Sequence, residues 1–275
     1  MRRFTTFTAA AAVMMMGVGV TAQAQDSTMD QVLENNVLRV GVTQAPPWYS
    51  KDPVVGEWTG GLGISMGQAM AEDLGVEFEP VEVTWGTAIA ALQANRIDLM
   101  YVLDATEERR EAVAFPETPM LYYSLAVLAR DDLEITDWAD LNDSDIRISV
   151  PQATSMDAFL TENTPDADIQ RFPGNAEAVA AFQSGRVDAV TLFHPPLIAA
   201  RKRLGAGQII VPQPVESRPS SVAVRQEADT AFLEWVNDRV DEYYTSGQTQ
   251  EWYEEFLSEF GLDPASVPAI MRERL

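Results

Sequence analysis

Cysteine is absent from the 275 residues, which removes disulfides, thiol nucleophiles and thiolate metal ligands in one step. Histidine occurs once, as His194. With one imidazole and no thiol, neither a transition-metal site nor any other cofactor site is expected. Lysine is nearly missing too: Lys51 and Lys202 are the only two, so almost all positive charge is arginine. No apolar stretch of about 20 residues, the length that spans a bilayer, follows the N-terminal segment. No P-loop, Gly-x-Gly-x-x-Gly or Ser-His-Asp order stands out. Gly60-Gly61-Leu62-Gly63 precedes a helical pattern but lacks the lysine of a phosphate loop, and reads as a turn.

What is present begins with an export signal. Arg2 and Arg3 form a positive n-region, Ala9 to Val20 an apolar h-region, and Ala22-Gln23-Ala24 a small-x-small cleavage site. The mature chain is expected to start near Gln25, unanchored, since no cysteine follows the cleavage site. Without disulfides it must rely on core burial, and about 250 residues suffice for one large domain or two modest ones. The formal net charge is -23. So acidic a chain repels phosphate backbones, so nucleic acid is not an expected partner. The acidic residues are spread along the sequence, which fits a solvated surface and leaves the ligand's charge open.

Short β-rich runs alternate with helical patterns, the signature of an α/β fold with largely parallel sheets. Leu62, Met66, Ala69, Met70 and Leu74 fall at helical spacing and end on Gly75, a good C′ residue. Strands are expected at 38–42, 76–83, 97–102, 122–129, 146–151, 187–193, 208–214 and 221–225. A helix through Ile89 and Leu92 ends at Asn95, and Asn175 is expected to cap another through Phe182 to Gly185. Asp229 opens a long helix with Leu233, Val236, Val240 and Tyr244 on one face, ending at Gly247. The last helix carries Trp252, Tyr253, Phe256 and Phe260.

One segment occurs twice. Leu92-Gln93-Ala94-Asn95-Arg96-Ile97-Asp98 matches Phe182-Gln183-Ser184-Gly185-Arg186-Val187-Asp188, 90 residues apart. That is too far for a solenoid and suits one copy in each of two similar lobes, although two common helix–turn–strand junctions also match by chance.

The order of parts carries a resemblance. A strand, Leu38 to Val42, leads to the aromatic loop Ala45-Pro46-Pro47-Trp48-Tyr49. Val83-Thr84-Trp85-Gly86 follows, then Arg96-Ile97-Asp98-Leu99-Met100, and the run closes on Asp104-Ala105-Thr106-Glu107-Glu108-Arg109. This resembles the family 3 (polar amino-acid type) periplasmic solute-binding proteins of ABC importers. The resemblance implies a two-lobe, type II fold, two sheets joined by a two-strand hinge that closes on a ligand. It divides the chain into a signal peptide at 1–24, lobe 1 at 25–121, lobe 2 at 122–219 and a return to lobe 1 at 220–275. Tyr123 to Arg130 and Pro219 to Arg225 are the candidate crossings. The implied partners are a small solute and, transiently, the permease subunits, with the receptor a monomer in the periplasm.

The same resemblance assigns the binding residues. Trp48 and Trp85, each just past a strand's C-terminal end, would wall the solute, although both also suit a core. The two prolines before Trp48 are expected to hold its loop extended. Arg109 matches the family's arginine that clamps a solute carboxylate with a two-pronged guanidinium; the alternative is a surface pair with Glu107 or Glu111. Thr154 and Ser155, after Gln152-Ala153, would offer hydroxyls and backbone N–H groups to the same carboxylate, or simply cap a helix. Thr106, Trp58 at the rim and His194, read as a loop residue before two prolines, are further candidates.

Two departures bear on the ligand. Asp104 stands where amino-acid binders carry a small hydroxyl residue, and Phe193 stands where they carry the acidic residue for the α-ammonium. Asp104 with Trp48, Trp85 and Phe193 would make a cage for a cationic or methylated nitrogen; the competing reading pairs Asp104 with Arg109. Besides capture without chemistry, the fold also serves secreted dehydratases of the cyclohexadienyl type, for which only Asp104 or His194 offers a general acid or base. A ligand-sensing module is the third reading.

Overall fold

A computed structural model describes residues 27–273; the expected signal peptide lies outside them. Helix α1 (Thr28–Asn35) precedes strand β1 (Val37–Val42). A two-stranded hairpin follows, β2 (Ser50–Lys51) with β3 (Trp58–Gly60). Then come α2 (Leu62–Leu74), β4 (Glu77–Glu82), α3 (Ala88–Gln93), β5 (Leu99–Asp104), α4 (Glu107–Arg110) and β6 (Val113–Ala114). The middle of the chain runs β7 (Leu121–Ala129), β8 (Arg147–Pro151), α5 (Ser155–Asn163), β9 (Asp168–Phe172), α6 (Asn175–Gln183), β10 (Ala189–Phe193), α7 (His194–Leu204) and β11 (Gln208–Ile210). Strand β12 (Ser217–Arg225) and helices α8 (Ala231–Thr245) and α9 (Gln248–Glu259) complete it.

The strands lie in the order β4-β1-β5-β12-β7-β10-β8-β9, with β6 beside β12 and β11 beside β7. The groups β4-β1-β5 and β10-β8-β9 are parallel. Between them run the two nine-residue strands β7 and β12, antiparallel to each other through Leu121–Ser124 and Ser217–Ser220. Each then diverges. Ala223 and Val224 of β12 pair with β5, while β7 beyond Leu125 pairs with β10. The expected α/β, two-lobe architecture is therefore present, two parallel sheets joined by two strands that cross between them.

Local chemistry explains most elements. In α2 the expected stripe is buried at Leu62, Met66 and Met70, and Gly75 takes the left-handed conformation at φ 70°. Helix α8 turns slightly from the expected face. Phe232, Val236, Val240 and Tyr243 are buried, and Leu233 and Tyr244 only half so. Gly174, not Asn175, caps α6, and Phe260 is the C-cap of α9 rather than part of it. His194 is no loop residue: it opens α7, with Pro195 and Pro196 in the first turn, where a missing N–H breaks no helical bond.

The sequence repeat is a structural one. Asp98 accepts from the backbone N–H of Arg39 at 2.7 Å and from its guanidinium at 2.5 Å. In the other sheet Asp188 accepts from the backbone of Arg147 at 3.0 Å and its guanidinium at 2.8 Å, with Arg130 adding a 2.6 Å contact. Each lobe thus ties its first parallel strand to the entry of the strand beside it in the sheet, β5 beside β1 and β10 beside β8, by one buried aspartate. The Arg147 hydrogen bonds hold the Asp188 carboxyl below the usual carboxylate range. Its ionised form is favoured by folding, so this stabilisation is present above about pH 4 and lost as pH falls through the lower, folded-state value. Asp188→Asn is expected to cost about 1 kcal/mol at neutral pH, because the arginines are half-exposed and screened. Thermal melts of both proteins should converge as the solution is acidified; a gap that persists at low pH would contradict the assignment.

Candidate functional site

The first wall is built by the loop after β1. It is a tight turn rather than the extended segment expected: Trp48 N–H donates to the Ala45 carbonyl at 2.9 Å, and Ala45 N–H to the Tyr49 carbonyl at 3.1 Å. Helix α2 fixes this turn. Leu62 N–H donates to the Pro47 carbonyl at 3.1 Å and Gly63 N–H to the Trp48 carbonyl at 2.8 Å, so two of the backbone donors in this glycine-rich turn are already used. A Cβ on Gly63 would sit 2.3 Å from the Tyr49 ring, and one on Gly61, at φ 103°, 2.6 Å from the Trp48 carbonyl. Glycine is required at both for the close approach. Tyr49 in turn donates to the Tyr101 carbonyl at 2.8 Å. Trp48 is buried, lying parallel to Tyr253 with centroids 6.0 Å apart and edge-on to Tyr123 at 6.1 Å.

The second wall comes from β5. Opposite β12, Leu103 pairs with Ser221 and Met100 with Ala223, so Tyr101 and Val102 together face Val222. This is a β-bulge. Within it Val102 adopts φ 60°, a strained conformation for a β-branched residue that persists only where its surroundings impose it. The bulge precedes Asp104, which is 4% exposed. Its carboxylate receives the hydroxyls of Tyr123 and Ser155. Burial raises the Asp104 pKa; the nearby Arg109 charge, the two hydroxyl bonds and the Arg218 charge oppose that rise.

Arg109 stands half-buried beside it. One guanidinium N–H donates to the Asp104 backbone carbonyl at 3.1 Å, and no carboxylate forms an ion pair with it among the described residues. Neither the alternative surface pairing with Glu107 or Glu111 nor a direct Asp104–Arg109 ion pair is formed among the described residues. Thr106 caps the short helix α4, accepting from Arg109 N–H at 3.2 Å.

The other lobe closes the space. Thr154 caps α5, its hydroxyl accepting from Asp157 N–H at 3.2 Å and donating to the Pro151 carbonyl at 2.7 Å. The first backbone N–H groups of α5 have no helical acceptor, and Ser155 reaches across to Asp104. Asn175, the first residue of α6, accepts from the Trp85 indole N–H at 3.0 Å. Phe193 stacks flat on Tyr123, centroids 3.6 Å apart at 4°. Among the described residues the two sides of the cleft are therefore latched at Asp104, by Ser155 and Tyr123, and at the Asn175–Trp85 pair.

These groups line a partly open cleft whose empty space, open solvent included, is about 370 Å³. Of the expected residues, Trp48, Trp85, Asp104, Arg109, Thr154 and Phe193 line it. Ser155 meets it through Asp104. Trp58, Thr106 and His194 are not among its lining residues. Trp58 lies under the Lys51 ammonium in the hairpin, 5.4 Å from ring centroid to nitrogen. The His194 Nδ1 accepts from Ser124 N–H at 3.2 Å, and burial lowers its pKa to about 4.

Residues 38–259 match the model of the bacterial extracellular solute-binding proteins, family 3. The chain belongs to that family. The L-cystine-binding protein TcyJ of Escherichia coli is 23% identical over 254 residues, covering 92% of this chain and 93% of that one. The ABC transporter glutamine-binding protein GlnH of Bacillus subtilis is 26% identical over 250 residues, 88% of each chain. Among solved structures, the ancestral amino acid-binding protein AncCDT-1, a precursor of cyclohexadienyl dehydratase, superposes with a TM-score of 0.76 at 30% identity, over 84% of this chain and 99% of that one.

Solute binding is thus the role of this family 3 protein, and its cavity lies where both lobes meet. Tyr123 and Asn175 are cavity residues that the sequence reading did not select. Tyr123 sat within an expected crossing strand and Asn175 at an expected helix start, so each had an ordinary structural explanation. Among the described residues no three or more His, Asp or Glu side chains gather as a metal site.

Proposed function

We propose that this protein is the periplasmic capture subunit of an ABC importer, taking up a small zwitterionic, amino-acid-like solute and carrying out no chemistry on it. In this reading residues 25–121 with 220–275 form one lobe and 122–219 the other, closing as a monomer and then docking on the permease. The observation that carries it is the pairing, within one aromatic cavity, of a buried carboxylate with a guanidinium that has no carboxylate partner. Arg109 would take the solute's carboxylate, with Thr154, Ser155 and the free N–H groups at the start of α5 beside it. Asp104 would take the nitrogen, ringed by Trp48, Trp85, Tyr123 and Phe193 through charge and cation–π attraction. The binding of amino acids by the relatives supports the same class.

A thermal-shift screen over amino acids, betaines, amines and small carboxylates tests this. A ligand at a hundred times its Kd stabilises by about 2.7 kcal/mol, a shift of several degrees. Small-angle scattering on the ligand-free and bound protein should then show compaction or a narrowed distribution, since a ligand favours the closed state only by touching both lobes. Turnover of a hit would replace this reading with the dehydratase one, and a screen without zwitterionic hits would overturn the solute class.

A further inference from the structure

Beside the aromatic cleft lies a second, partly open chamber, about 380 Å³ with its open solvent included, that the residues assigned to the solute's carboxylate and nitrogen leave unused. The two share Asn175 and Pro196 as a common waist. Past the waist the walls turn apolar and small: Ala176 and Val179 of α6, Leu192 of β10, Ala199 and Ala200 of α7, with Phe260 opposite. Alanine at three of these positions is what leaves the space open. Two polar groups remain. Gln44 uses its amide oxygen on Lys51 N–H at 2.8 Å, which leaves its amide N–H groups without a protein acceptor among the described residues. Arg203, at the exposed end of α7, enters no ion pair or hydrogen bond there.

We propose that the solute is elongated, and that its distal chain passes the Asn175–Pro196 waist into this chamber, ending in an acceptor group facing Gln44 and Arg203. The chemistry selects an unbranched aliphatic or thioether chain terminated by a carboxylate or amide carbonyl. Apolar walls favour methylene or sulfur, the only polar groups are donors, and the single charge at the mouth is positive in an otherwise acidic protein. This rests on the reading that the aromatic cavity holds the head group.

Calorimetry with L-norvaline, L-norleucine, L-α-aminooctanoate and L-α-aminosuberate tests it on the full chain and on the Ala199→Phe and Arg203→Gln variants. The unaltered protein should gain about fourfold in affinity per methylene that enters the chamber. Ala199→Phe should keep the affinity for norvaline and abolish the gain for the longer members. Arg203→Gln, at an exposed position whose side chain makes no hydrogen bond or ion pair among the described residues, should weaken α-aminosuberate about threefold and leave α-aminooctanoate unchanged. If Ala199→Phe does not fold, the unaltered series and Arg203→Gln decide. Norvaline binding with flat or falling affinity along the series would overturn the chamber assignment alone. Binding by no member would overturn the head-group reading together with it.

Discussion

Arg109→Ala is expected to reduce affinity for a carboxylate-bearing solute by about 2–5 kcal/mol, the scale for removing one partner of a hydrogen-bonded charge pair that the bound solute would bury. The guanidinium already spends one N–H on the Asp104 carbonyl, which fixes the fork's position and leaves donors for a ligand. Two parallel charge-assisted bonds to a carboxylate are what a planar guanidinium supplies and an ammonium does not. Arg109→Lys should therefore recover only part of the loss. Folding should also lose some stability at neutral pH, because the Arg109 charge offsets part of the burial cost of the Asp104 carboxylate, although α4 itself is held by Thr106. Calorimetry for affinity and thermal melts for stability separate the two effects. An Arg109→Ala protein that binds a confirmed carboxylate ligand within a few-fold of the original would remove the clamp from the mechanism.

Asp104→Asn is expected to move stability and binding in opposite directions. Burial raises the pKa of Asp104 in the folded state, so folding favours the protonated form and ionisation costs stability at neutral pH. That cost disappears as pH falls through the folded-state value toward the unfolded one. The neutral amide keeps the shape and should melt higher than the aspartate at pH 7, the advantage shrinking in acid. A positive nitrogen in the cavity, by contrast, loses its charge partner. A carboxylate has about four lone-pair sites, of which Tyr123 and Ser155 take two, so room remains for a ligand donor. Affinity for a cationic or zwitterionic solute should fall by roughly 1.5–3 kcal/mol. For a purely anionic solute it should stay the same or tighten. Unchanged affinity for a confirmed cationic ligand would sink the aromatic cage.

Features that depend on neighbours along the chain can be read from residue order alone. The stripe Leu62, Met66 and Met70, the stop at Gly75 and the twice-used Arg-x-Asp junction are local patterns, legible because helical period and turn chemistry act within a few residues. That Trp48, Trp85 and Arg109 stand on the cleft wall was also legible, through the order of loops that carry them. The contacts that one lobe makes with the other exist only in the folded chain. Trp85 meets Asn175 from 90 positions away and Asp104 meets Ser155 from 51. Tyr123 gave no sign of its hydroxyl's partner while it read as one residue of a crossing strand. Strand β9 and helix α7 escaped notice because β9 alternates weakly at a sheet edge, and His194-Pro195-Pro196 reads locally as a loop. The second chamber was beyond reach for the same reason. A cavity is set by where side chains stop, and alanines at 176, 199 and 200 become a wall only when two crossing strands bring α6 and α7 against the first lobe.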